Sequence, residues 1–191
     1  AATQSNNISS IETVKLLLDL GADINLNLFK LSALMSAVLY SQSTSSLDTV
    51  KLLLARGANM NQIAINGFTT LTIAAVFSNE SSSLDTVKFL LDSGYDVNYQ
   101  NNSGHTALAT ASILSNKISS LETVKLLLDR GANINLQDNQ GSTPLMGVCQ
   151  ASNYMSSLDT VKLLLDRGAN LNIKNLYGQT ALVYAVRHTN S

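Results

Sequence analysis

The sequence predicts an all-α fold built from tandem two-helix units, and three observations predict it. The run Val14-Lys15-Leu16-Leu17-Leu18 returns almost verbatim from Val50, Val87, Val124 and Val161, at steps of 36, 37, 37 and 37 residues. A glycine keeps the same step at Gly21, Gly57, Gly94, Gly131 and Gly168. A second glycine marks another phase at Gly67, Gly104, Gly141 and Gly178, with Lys30 in that place in the first unit. Self-similarity at a fixed period means stacked units, each of which buries its apolar side on its neighbours.

The repeated V-K-L-L-L run predicts one helix of each unit. Ser119 followed by Glu122 is the pattern of a capping box, which satisfies two N–H groups at a helix start. Ser9/Glu12, Ser45/Asp48, Ser82/Asp85 and Ser156/Asp159 match it. The acidic residue also suits the positive end of the helix dipole. A lysine follows three residues later each time (Lys15, Lys51, Lys88, Lys125, Lys162), within reach of an i,i+3 pair. Leu121, Val124, Leu127 and Leu128 form one apolar stripe. The glycine that follows is the expected C′ stop, so the helix runs from about Ser120 to Arg130.

After that glycine come Ala132-Asn133-Ile134-Asn135, a polar stretch and Gly141, read as a short extended excursion with a turn. Thr143-Pro144-Leu145 then reads as N-cap, N1 proline and first apolar residue of the other helix. Its equivalents are Ser32-Ala33-Leu34, Thr69-Thr70-Leu71, Thr106-Ala107-Leu108 and Thr180-Ala181-Leu182. Small residues (Ala74, Ala75, Ala109, Ala111, Gly147) allow close helix approach. The pairs Ser78-Asn79, Ser115-Asn116 and Ser152-Asn153 are expected to end this helix, with Asn as a left-handed C′ residue.

Composition narrows the function. The chain has 191 residues, net charge −1, 45% hydrophobic and only 13% charged residues. That hydrophobic fraction argues against disorder. With 12 Lys+Arg against 13 Asp+Glu there is no basic excess for nucleic acid. No apolar run of about 18 residues predicts a membrane span. One cysteine excludes an intramolecular disulfide and fits a reducing compartment, so a cytoplasmic location is expected. The missing charge is made up by 20 Asn and 24 Ser.

Gly141-Ser-Thr-Pro-Leu145, Val124-Lys-Leu-Leu-Leu128 and Gly131-Ala-Asn-Ile-Asn135 resemble the ankyrin repeat family's G-x-T-P-L, V-x-x-L-L and G-A-D-V-N patterns. The resemblance recurs five times and covers essentially the whole chain. It implies antiparallel helix pairs joined by β-hairpin fingers and stacked into a curved solenoid, whose concave face of fingers and first helices usually binds other proteins. On that reading residues 1–28 are a partial repeat, 29–65, 66–102, 103–139 and 140–176 are full repeats, and 177–191 are partial. Two departures stand out. Each unit carries about four extra residues between its helices, placed in a longer first helix or a longer loop. The family's first-helix histidine is replaced by Met35, Thr72, Ala109, Met146 and Val183, so its inter-repeat hydrogen bonds must be lost or replaced. The Asn-rich form with S-S-[LI]-[DE]-T-V-K is similar to arrays from giant viruses of amoebae, which would place the protein in a host cytoplasm.

Little in the chain points to catalysis. Cys149 lies where other units have Val38, Ala75, Ser112 and Val186, and reads as a small buried residue. His105 and His188 are two units apart, with no zinc-ligand spacing. His105 reads as a surface contact residue. No phosphate loop or nucleophile motif is present. No enzyme activity, cofactor, metal or small-molecule substrate is expected.

Positions shared by all units serve the fold, so positions that differ are candidates for a partner. These are Phe29, Tyr40, Ile65, Phe68, Phe77, Asn102, His105, Asn139, Gln140, Leu176 and Tyr177. Phe29, Tyr40, Ile65, Phe68 and Phe77 would form an apolar patch of the kind that anchors interfaces. Alternatively Tyr40, Phe77 and Phe68 pack inward. Asn25, Asn61, Asn98, Asn135 and Asn172 stand where the family can be hydroxylated on asparagine; the simpler role is an Asx-type turn. The expected function is a protein-binding scaffold, as in a host-protein adaptor. The alternatives are a self-assembling array associating end to end, or a section of a longer protein with an effector module elsewhere. Ala1 aligns with Ala111, and Leu182, Tyr184 and Val186 lie on a last helix without a following partner, as a section of a longer array would.

Overall fold

A computed structural model describes residues 8–26, 31–41, 47–64, 67–78, 84–151 and 157–187. Ten helices lie among them: α1 (Ile8–Asp19), α2 (Ala33–Leu39), α3 (Leu47–Ala55), α4 (Thr70–Val76) and α5 (Leu84–Asp92) in the N-terminal half. They are followed by α6 (Ala107–Ile113), α7 (Leu121–Asp129), α8 (Pro144–Ala151), α9 (Leu158–Asp166) and α10 (Ala181–Arg187). Even-numbered helices are the first helices of the units and odd-numbered ones the second. Each first helix from α2 to α8 packs on the second helix that follows it. The first helices also contact one another in an unbroken row from α2 to α10. The result is the all-α solenoid that the sequence predicts.

The core is a repeated set of aliphatics. Leu34, Leu71, Leu108 and Leu145 of the first helices are buried against Val50, Val87 and Val124 and against Leu53, Leu90, Leu127 and Leu164 of the second helices. Small residues set the spacing of the first-helix row. A β-carbon built on Gly147 of α8 would lie 2.8 Å from Ile113 Cδ1 of α6. A helical glycine costs about 1 kcal/mol relative to alanine; here it lets Ile113 rest directly on the next helix.

The first-helix caps form as expected. The hydroxyls of Ser32, Thr69 and Thr106 accept hydrogen bonds from the backbone N–H groups of Met35, Thr72 and Ala109. The second-helix caps differ from the expected capping box by one residue. Ser120 and Ser157 are the N-caps, and they accept from Thr123 N–H and Thr160 N–H. Ser119 is fully buried instead, and its hydroxyl donates to the Ala75 carbonyl of the preceding unit at 2.9 Å. Glu122 does not reach back to the cap; it pairs with Lys125 at 2.7 Å, the i,i+3 contact also made by Lys15, Lys51 and Lys162. Ser9 lies inside α1 rather than before it; Ser45, Ser82 and Ser156 lie outside the described residues.

In the unit of α6 and α7 the extra residues lie in the loop between the helices. First helices span only seven or eight residues. The loop is described in full after α6, where the N–H groups of Lys117, Ile118 and Ser119 all turn back to the Leu114 carbonyl. The expected helix end shifts accordingly. Leu114 is the C-cap of α6 at a φ of −98°, before Ser115-Asn116. Asn79, Ser152 and Asn153 lie outside the described residues.

The serine after α2, α4 and α6 has another task. Ser41, Ser78 and Ser115 hydrogen-bond the threonine hydroxyl of the next unit's second helix: Ser41 with Thr86 at 3.3 Å, Ser78 with Thr123 at 2.7 Å, and Ser115 with Thr160 at 2.6 Å. With Met35, Thr72, Ala109 and Met146 buried where a histidine is absent, this hydroxyl ladder links the units. Outside it runs an ionic ladder, Asp19–Arg56, Asp92–Arg130 and Asp129–Arg167, at 2.7–2.8 Å. Ala55 and Ser93 stand opposite one another where that ladder breaks, so both members of the pair are missing together.

Candidate partner-binding groove

The fingers are turns rather than strands. Asn101 N–H donates to the His105 carbonyl at 3.0 Å and Gly104 N–H to the Asn101 carbonyl at 2.8 Å. Asp138/Ser142/Gly141 and Asn175/Gln179/Gly178 repeat the geometry. Among the described residues β-structure is confined to isolated bridge positions, at Leu31 and between Ile63 and Thr69, which pair antiparallel. In these three turns the side chain at the base bonds the turn's own backbone. Asn101 Oδ1 accepts from the N–H groups of Ser103 and His105 at 2.9 Å each, and Asp138 Oδ1 from those of Gln140 and Ser142 at 2.8 Å each. Short polar side chains that bond their own backbone are what such turns require.

Neighbouring fingers are stitched together. Asn139 N–H donates to the Ser103 carbonyl at 3.1 Å, and Asn139 Nδ2 to the Asn102 carbonyl at 2.8 Å. Leu176 N–H reaches the Gln140 carbonyl at 2.9 Å. The contact demands glycine at one point. Gly104 has a φ of +81°, and a β-carbon there would lie 2.5 Å from the Asn139 nitrogen.

These fingers wall a groove of about 510 Å³ over α6 and α8. Asn102, His105, Asn139 and Gln140 form its finger side; Ala109, Ile113 and Gly147 form its floor. Gln150 and Tyr184 close it on the helix side. His105 Nε2 lies 3.2 Å from Asp138 Oδ2 of the next unit. The one carboxylate of the groove is thus engaged by a histidine and two backbone N–H groups. What is left facing the groove is amide and apolar surface, suited to binding without covalent chemistry.

The candidate residues distribute unevenly. Four of the eleven partner candidates, Asn102, His105, Asn139 and Gln140, meet in this groove. Leu176 and Tyr177 project from the next fingertip, both more than two-thirds exposed. Phe68 and Phe77 are half-buried and pack against the core, as the inward alternative has it, while Tyr40 at the end of α2 stays half exposed. Phe29 and Ile65 lie outside the described residues. Sequence reasoning missed Asp138, Ile113 and Gln150. Asp138 is the only acidic residue at its place in any unit, and it stands one unit on from the only fingertip histidine. That paired exception was the available signal.

The asparagines considered for modification hold units together. Asn25, Asn98 and Asn135 each accept, through Oδ1, the backbone N–H of Asn59, Asn133 and Asn170 at 2.7–2.8 Å. The Asx turn belongs to the residue two positions earlier: Asp23, Asn59, Asp96, Asn133 and Asn170 accept the N–H groups of Asn25, Asn61, Asn98, Asn135 and Asn172. Cys149 is buried in α8, and that burial pushes its thiol up from the ordinary range, away from a reactive thiolate. Among the described residues no group of three His, Cys, Asp or Glu side chains could hold a metal ion, and no helix is long and apolar enough to cross a membrane.

Comparison with known proteins agrees with this architecture. A family model described as "Ankyrin repeats (3 copies)" matches residues 1–101, 41–138 and 112–191, which together span the whole chain. No curated protein matches the chain.

Proposed function

Because the chain belongs to the ankyrin repeat family, whose repeats are generally protein–protein interaction modules, we propose that it is a non-catalytic scaffold that binds a partner protein on its finger and first-helix face. The groove over α6 and α8 carries this reading. It is the place where non-repeating residues converge, on a frame whose repeating residues are fully used for packing and for links between units. Its amide walls and apolar floor favour a partner held by hydrogen bonds and van der Waals contact rather than by electrostatic steering. An adaptor fits this description, since a rigid groove can hold one protein while other surfaces remain accessible. A cytoplasmic setting fits a thiol that is kept buried and reduced.

Affinity capture from cell lysate tests the proposal. Asn102→Ala with Gln150→Ala alters two exposed groove side chains and keeps the Asn102 backbone carbonyl that takes part in the finger stitching. The proposal expects capture to fall at least about tenfold, the loss that corresponds to about 1.4 kcal/mol of binding. Unchanged capture by the double variant removes the groove as the binding site.

A further inference from the structure

One seam inside the array lacks the ties that join its neighbours. The units 66–102, 103–139 and 140–176 are held edge to edge by Asp92–Arg130 and Asp129–Arg167 at 2.7 Å. The amides of Asn98 and Asn135 add a second tie, accepting the N–H groups of Asn133 and Asn170. The second helices α5, α7 and α9 also pack in a row. Between unit 29–65 and unit 66–102 these ties are missing together. Ala55 and Ser93 occupy the two places of the ion pair. Asn61 keeps its own N–H on Asn59 Oδ1 at 2.9 Å, but among the described residues its amide bonds nothing in the next unit, where Asp96 stands at the place of Asn133 and Asn170. α3 and α5 make no contact comparable to that of α5 with α7.

A larger side chain sits at the same seam. Tyr95 stands where the other units bury Ala58, Ala132 and Ala169, and its ring needs room that a methyl group does not. It lies half-buried against the core. Burial pushes its phenol above the ordinary range, and the nearby Thr70 hydroxyl offsets part of that rise; yet neither oxygen has a partner in good hydrogen-bonding geometry. A gap of about 30 Å³ remains beside the ring, between Met60 and Asn61 of one unit and Thr69, Tyr95, Asp96 and Tyr99 of the next. The links that do cross the seam are weak ones. The Lys51 ammonium lies 5.9 Å from the centre of the Phe89 ring, at the limit of about 6 Å for such an attraction. Ser41–Thr86, at 3.3 Å, is the longest described rung of the hydroxyl ladder. The first helices α2 and α4 stay packed.

We propose that the array bends at this seam, pivoting on α2 and α4, while the units on either side move as rigid blocks. In a stack each interface contributes its own stability term, so the weakest one yields first. The groove over α6 and α8 lies on one block and the half-exposed Tyr40 on the other. A partner that touches both blocks therefore selects one curvature of the array.

Distances between paired nitroxide labels on the 191-residue chain test the bend. In a Cys149→Ala background, labels at Asp48→Cys and Glu122→Cys span the seam, and labels at Asp85→Cys and Asp159→Cys span only tied seams. All four residues are exposed and hold the same place in their helices, so the two pairs differ only in the seams they cross. The distance distribution across the untied seam is expected to be the wider one. Equal widths overturn the proposal. Restoring the ties is expected to narrow the distribution. Ala55→Asp with Ser93→Arg rebuilds the ion pair at exposed positions and keeps the fold by circular dichroism. Adding Tyr95→Ala lets Asn61 reach the Asp96 N–H as Asn98 reaches that of Asn133, and should bring the width to that of the tied pair. Narrowing by the ion pair with the ring kept supports the bend by itself. A width that neither set of substitutions reduces overturns it, because the spread then arises outside the seam.

Discussion

The amide of Asn98 clips one unit to the next: Oδ1 accepts the backbone N–H of Asn133 at 2.7 Å, and Nδ2 donates to the Gly131 carbonyl at 3.2 Å. Asn25 makes the same pair of contacts with Asn59 and Gly57. Asn98→Ala removes both bonds and leaves a backbone donor and acceptor to water. It should cost about 1–2 kcal/mol, the net worth of two ordinary hydrogen bonds. Asn98→Asp keeps the acceptor and should cost less. Urea unfolding midpoints of the three proteins rank the effects; an alanine variant as stable as the parent removes the clip.

Gly104 and Gly178 share a left-handed backbone but not a neighbourhood. Their φ angles are +81° and +72°, yet nothing lies within 4 Å of a β-carbon built on Gly178, while on Gly104 it meets the Asn139 nitrogen at 2.5 Å. Gly178→Ala should therefore lose only the conformational term, about 1–2 kcal/mol. Gly104→Ala carries that term plus the displacement of a backbone segment, and should lower the melting temperature clearly further. Equal losses would mean that the finger stack yields without resistance.

The hydroxyl of Thr123 is fully buried between the Ser120 cap and Ser78 of the preceding unit, at 2.9 and 2.7 Å. Thr123→Val keeps the shape but removes both hydroxyl contacts, leaving Ser120 Oγ with the residue 123 N–H and Ser78 Oγ with the Ala75 carbonyl. A loss of about 1–2 kcal/mol is expected, the net worth of two ordinary hydrogen bonds. A Thr123→Val variant with the urea unfolding midpoint of the parent would show that the hydroxyl ladder adds nothing to stability.

Burial raises the Cys149 thiol pKa, and the sign of the pH effect follows. The folded protein holds this proton more tightly than the unfolded chain does. Its contribution is therefore fully present below the ordinary thiol value of about 8.5 and declines as pH rises above it. Cys149→Ala should flatten the decline in stability measured between neutral and alkaline pH. The native thiol should also react with a disulfide reagent far more slowly than the urea-unfolded chain at the same pH. Equal rates would place the sulfur at the surface.

Much of the fold was legible because helix pairs are local objects. The apolar stripe of α7, the glycine after it and the threonine caps of the first helices are each set by residues within one or two turns. The two errors in element ends arose where a side chain works between units. Ser119 looks like a cap in sequence, but its hydroxyl is taken by Ala75 of the preceding unit, and the cap passes to Ser120. Ser115 looks like a helix end, yet it is placed to meet Thr160. A hydrogen-bonding serine offers the same atoms in either role, and only the position of the next unit chooses.

The sequence by itself determined the repeat, the helix pairing, the core leucines and the polar, uncharged character of the fingers. Those follow from periodicity and from the conformational limits of glycine, proline and short polar side chains. The tertiary structure decided what the non-repeating residues do. It gathered Asn102, His105, Asn139 and Gln140 into one groove with Asp138 and Ile113, and it turned Phe68 and Phe77 toward the core. Which of two faces a side chain takes depends on how far one unit is rotated and shifted on the next. That offset is set by contacts spread over the whole seam, such as Ile113 lying on Gly147, and no local pattern encodes it.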